Sequence, residues 1–183
     1  MKASSASVRR SAAFPAAALV VALLAALALP AGAEGTSVTV AGPLTAYDVA
    51  GNPAAGVTAR VHEVVTGGRT TTVTLHLHGF AADQAGRTFG AHAHSGPCGT
   101  VGTSAGPHYT HPDAAPTLEE REIWLDFTVD AGGTAHAKAT RDWTFEATET
   151  APFGARSVVV HAMPTDPGGV AGARLACIEV PFV

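Results

Sequence analysis

From residue 35 onward the apolar and polar positions alternate with a period of two. In Val73-Thr74-Leu75-His76-Leu77-His78 the valine and leucines fall on one face and the threonine and histidines on the other. That is the pattern of a strand with one face buried and one solvated. The same reading predicts strands over 37–40, 57–65, 70–79, 89–95, 121–129, 134–143, 158–163 and 175–182. Thr66-Gly67-Gly68-Arg69 and Ala131-Gly132-Gly133 supply hairpin turns, and Asp48 to Pro53 supplies turn chemistry. No stretch sustains a helical period. The segment Tyr109 to Glu120 carries two prolines and clustered acids, so it reads as a long loop that bears functional groups. The expected class is all-β: an immunoglobulin-like Greek-key sandwich, or a flattened eight-stranded barrel.

Residues 1–33 break this pattern. Lys2, Arg9 and Arg10 precede 14 unbroken apolar residues, Ala16 to Leu29, and Ala31-Gly32-Ala33 follows as a small-x-small cleavage site. This is the build of a secretory signal, and the apolar run is too short for a spanning helix. The Arg9-Arg10 pair is compatible with a twin-arginine route. Cleavage after Ala33 leaves one domain, 34–183, large enough for a real core. It also takes the formal net charge from −4 to −7. That charge argues against nucleic acid or an anionic membrane as partner, and it obliges any anionic substrate to find a locally positive approach. Cys98 and Cys177 lie 79 positions apart. An even count in an exported chain predicts a disulfide.

The chemistry concentrates in Gly90 to Gly99 and Ser104 to His108. Alternation puts His92 and His94 on one strand face, about 7 Å apart along the chain. A Gly-Pro turn delivers His108, and His161 ends the run Ser157-Val158-Val159-Val160 as the fourth candidate. Four imidazoles on one ion suit copper, zinc and several other transition metals.

His-Ala-His, Ser-Ala-Gly-Pro-His, Ser-Val-Val-Val-His-Ala and Ala-Gly-Ala-Arg-Leu-Ala-Cys occur here in that order, from about Thr36 to the C-terminus. The set resembles the copper/zinc superoxide dismutase family. The resemblance implies a secreted enzyme that converts superoxide to dioxygen and hydrogen peroxide, with copper on His92, His94, His108 and His161. His108 would also act in catalysis, its metal-side nitrogen taking a proton when the copper is reduced. Arg174, three residues before Cys177, would guide the anion. A non-catalytic extracytoplasmic copper-binding protein of the same fold is the alternative.

The resemblance fails at the zinc site. Where the family carries further histidines and an aspartate, this chain has Glu122-Ile123-Trp124-Leu125, which resembles the copper-only branch. Glu122 is then the expected partner of the outer nitrogen of His108, because a metal-bound imidazole needs one to fix its tautomer and angle. A surface acid on an edge strand is the other reading of Glu122. A residual zinc site from His108, His111 and Asp113 stays open, although its spacing is cramped for a tetrahedron; otherwise His111 is a loop histidine near the copper mouth. Asp166 lies one position from the aspartate that links the two metal sites in the family. His76 and His78 read as solvated, His62 and His136 lack supporting context, and Trp124 and Trp143 read as packing residues.

Overall fold

The computed structural model describes residues 35–112 and 116–183. The signal expected over 1–33 and the candidate ligand Asp113 therefore lie outside the described residues. Two antiparallel four-stranded sheets share one core. The first has the order β1 (Thr36–Pro43), β3 (Thr58–Thr66), β4 (Thr70–His78), β8 (Thr134–Arg141); the second has β2 (Thr45–Ala46), β10 (Arg174–Glu179), β9 (Ser157–His161), β6 (Ala91–His94). A ribbon of β5 (Thr88–Phe89) and β7 (Phe127–Thr128) completes the described strands. The all-β sandwich expected from the alternation is the fold observed. Among the described residues no helix is long and apolar enough to cross a membrane.

The β3–β4 hairpin pairs from Thr58↔His78 to Thr66↔Thr70. It closes through Gly67 and Gly68, whose φ values of 60° and 66° a side-chain-bearing residue adopts only at a cost. Val61, Leu75 and Leu77 point inward from the first sheet to meet Val158, Val160 and Ile178 of the second. Strand β9 is buried on both faces. Its inner face joins the main core, while Val159 on its outer face packs with Tyr47, Ala105, Cys98 and Cys177. The Cys98–Cys177 disulfide is formed and holds the loop after β6 over that outer face.

Three expectations are corrected. The strand expected over 121–129 is only two residues long. It is preceded by a single helical turn, α1 (Leu118–Arg121), which Thr117 and Glu120 start with a capping box. The turn at Ala131-Gly132-Gly133 forms around the Asp130 carboxylate, yet β7 pairs with β5 rather than with β8. The strand expected over 89–95 breaks at Gly90. An added Cβ there would lie 2.7 Å from Ala171 and 2.9 Å from both Met163 and Thr165. The chain leaves the ribbon at this close approach and enters the second sheet.

Candidate metal centre

The site is built on the outer face of the second sheet. β6 pairs with β9 in the register His92↔Val159 and His94↔Ser157. With side chains alternating, His92, His94 and His161 share that face while Ala91 and Ala93 enter the core. The other edge of β6 is covered by two loop segments in succession, through the bridges His94↔His108 and His92↔Trp124. Ordinary strand pairing thus brings His108, Glu122 and Trp124 to the two histidines on β6. His92, His94 and His161 are buried, and His108 keeps 18% side-chain exposure. One ring nitrogen from each of the four lies within 4.8 Å of the others. The sequence expectation that these four histidines converge is met.

The outward nitrogens decide which atoms face inward. His94 Nδ1 donates to the Gly106 carbonyl at 3.1 Å, and His161 Nδ1 donates to the Gly172 carbonyl at 3.4 Å. A carbonyl only accepts, so each Nδ1 carries the proton and each Nε2 is a lone pair. His108 Nδ1 donates to Glu122 Oε2 at 2.9 Å, with the same result. At His92 a hydroxyl does this work. Thr165 Oγ1 donates to Asp126 Oδ1 at 2.6 Å and accepts from His92 Nε2 at 2.6 Å. His92 Nδ1 is then a buried nitrogen with no hydrogen-bond partner. Four lone pairs converge, and two of them, His94 Nε2 and His161 Nε2, stand 3.2 Å apart. Facing lone pairs repel unless a cation lies between them. The donor set fits a transition-metal ion.

Electrostatics keep the rings in their ligand form. Burial, reinforced by His108 and Arg174, depresses the pKa of His94 to about 2 and that of His161 to about 4. His92 is pushed well below the ordinary histidine range, first by burial and then by the neighbouring rings. Burial alone would raise Glu122. Hydrogen bonds from His108, Trp124 Nε1 (2.8 Å) and Thr110 Oγ1 (2.9 Å) outweigh it and hold the carboxyl below its usual value. Glu122, 3% exposed, is a buried acceptor of three donors rather than an edge-strand surface acid.

Arg174 lies opposite His161 across β10 and β9 and donates from Nη1 to the Gly102 carbonyl at 2.7 Å. His111 stands apart from the cluster. Its ring packs on Trp143 at 5.0 Å, and its Nε2 lies 3.1 Å from a Glu146 carboxylate oxygen. Asp166 is turned into its own loop, where Oδ1 accepts from Gly168 and Val170. Trp124 does more than pack, since its indole nitrogen donates to the Glu122 carboxylate. Trp143 is a packing residue, set among Tyr109 and Phe145.

Sequence reasoning missed Thr165, Asp126, Thr110 and the role of Trp124. The Glu-Ile-Trp spacing does put Glu122 and Trp124 on one face of an extended segment. Thr165 and Asp126 meet only through folding.

No protein-family model matches the sequence, and no curated protein sequence matches it. A solved structure of the clock protein EA4 superposes with a TM-score of 0.54 at 16% identity, covering 80% of this chain and 94% of its own. At that identity the likeness shows a common fold and nothing further.

Proposed function

We propose that this chain is an exported superoxide dismutase that holds copper on His92, His94, His108 and His161. Its reaction takes two superoxide anions and two protons to dioxygen and hydrogen peroxide. The observation that carries the reading is the set of four inward lone pairs, each fixed by a partner on the ring's other nitrogen. When bound, copper would supply the one-electron couple that alternate oxidation and reduction of superoxide requires, which zinc lacks.

The chain's own residues do the rest. Arg174 spends one N–H on Gly102 and keeps other donors for a small anion. In a mature chain of net charge −7 it is the local attractor. Glu122 keeps the proton of His108 on Nδ1, so Nε2 is the nitrogen through which that ring can exchange one. Zinc has no part in this reading: Glu122 occupies the outer nitrogen of His108, and His111 is paired with Glu146. The Cys98–Cys177 disulfide is the state expected of an oxidising compartment outside the cytoplasm.

The test is superoxide decay followed by stopped flow on chain loaded with one equivalent of copper. Decay far faster than spontaneous dismutation is expected, and Arg174→Ala should slow it about tenfold by removing the attraction. A chain that holds its copper tightly yet is inert would refute the proposal and identify a copper-binding protein of this fold. A tightly held equivalent of zinc, taken up on folding with both metals, would refute its copper-only form.

A further inference from the structure

The outer face of the first sheet carries a second group of histidines, remote in the fold from the strands that hold the centre just described. His76 on β4 and His136 on β8 are directly opposed in the antiparallel ladder. Such pairs bring Cβ atoms to about 4.5–5.5 Å, close enough for two imidazoles to share an ion. Their ring centroids lie 4.7 Å apart at 56°. Within the buried centre the corresponding separations run from 4.1 to 6.3 Å, so the exposed pair already has the spacing of co-ligands. Both side chains are exposed, and neither ring makes a hydrogen bond among the described residues. Each can therefore turn a nitrogen toward a common point at little cost.

We propose that His76 and His136 form a second, solvent-facing transition-metal site that takes Cu(II) in preference to other first-row divalent ions. Two imidazoles and water complete a tetragonal set, and Cu(II) heads the affinity order for such nitrogen donors. The pair lies on the wall of a groove of about 920 Å³ that Asp130, Arg60 and His78 also line. Arg60 pairs with His76 from the β3 side and opposes a cation. Asp130 offsets it. Hydrogen bonds from the Thr134 hydroxyl, the Thr134 backbone N–H and the Gly132 backbone N–H keep its carboxylate ionised. His78 is committed through Nε2 to the Thr58 hydroxyl, so the primary ligands are two. The site does not depend on what the buried centre does.

The experiment is calorimetric titration of the full chain with Cu(II), using glycine as competing chelator, with electron paramagnetic resonance of the titrated samples. A tight event at the buried centre should precede a weaker second event with its own spectrum. His76→Asn and His136→Asn should each abolish the second event and leave the first unchanged, whereas His62→Asn should leave both. Both tested side chains are exposed, and the surviving first event reports that each variant is folded. A wild-type chain with a single event, or a second event that persists in either variant, overturns the proposal. Absence of the first event would count against the buried centre alone, so the two readings fail separately.

Discussion

Thr165→Val is the sharpest probe of the centre. Valine keeps the shape of threonine and retains the backbone bond from residue 165 to Asp126 Oδ2, 2.7 Å in the native chain. It removes only the hydroxyl that accepts from His92 Nε2 and donates to Asp126. The Asp126 carboxylate is 3.9 Å from His92 Nε2, too far to take over without movement. A fully buried N–H left unpaired costs about 1–3 kcal/mol. The metal-free ring can escape much of that cost by moving its proton to Nδ1, the atom that otherwise faces the centre. Copper would then have to displace this proton. Metal-free stability should therefore fall by no more than about 1–3 kcal/mol, while copper affinity falls about 10–100-fold, as when other outer partners of metal-bound histidines are lost. Competition against a chromophoric copper chelator measures the affinity, and urea unfolding measures the stability. Thr165→Ser should restore both. A valine variant that binds copper as tightly as the native chain, or a serine variant as impaired as valine, would refute the assignment of the His92 tautomer to Thr165.

Glu122→Gln keeps an acceptor for His108 and Trp124 but removes the charge; copper affinity should fall about tenfold by chelator competition, and Glu122→Ala should be worse because three donors lose their acceptor. Breaking the disulfide with a Cys98→Ser, Cys177→Ser double variant releases a closure over 79 positions, worth about 4.5 kcal/mol of chain entropy; the denaturant midpoint should drop accordingly, and an unchanged midpoint would show that the loop after β6 is held by its other contacts. Glu63, buried in β3 and bonded to the Val183 N–H at 3.0 Å, has its pKa pushed up to about 7, mainly by burial. The folded chain thus keeps a proton that the unfolded chain has released above pH 4.5 or so, and the contribution of Glu63 to stability falls as pH rises through that window before levelling off. That contribution should fall by roughly 3 kcal/mol between about pH 4.5 and pH 7, read as the difference between the native chain and Glu63→Gln in urea unfolding at a series of pH values. In that difference the opposite pH dependence of the depressed histidines of the centre cancels.

Period-two alternation predicted most of the large strands to within a few residues, because burying Val73, Leu75 and Leu77 on one face leaves little choice of register. The four histidines were legible because three of them lie on strands, His92 and His94 on β6 and His161 at the end of β9, a Gly-Pro turn carries His108, and the order of their motifs resembles a known family. The short pieces were harder. β2 is two residues long and owes its existence to pairing with β10, a contact no local pattern announces. α1 did carry a signal, Thr117-Leu-Glu-Glu120, but a single capped turn has no periodicity to display. The partners of the rings divide in the same way. Glu122 could be inferred from the need for a carboxylate near His108. Thr165 and Asp126 could not, since 39 residues separate them and only the fold brings them together.

The segment between β9 and β10 has a consequence for metal traffic. Through the Thr165 hydroxyl it orients His92, and through the Gly172 carbonyl it orients His161, while Gly169 lies against Leu118 and Trp124. Lifting this one loop would release two of the four rings together and leave both sheets paired. Loading and loss of the ion need not wait for the whole domain to melt. In the copper-loaded chain proposed above, a local opening of this loop would give the ion a route in and out without global unfolding.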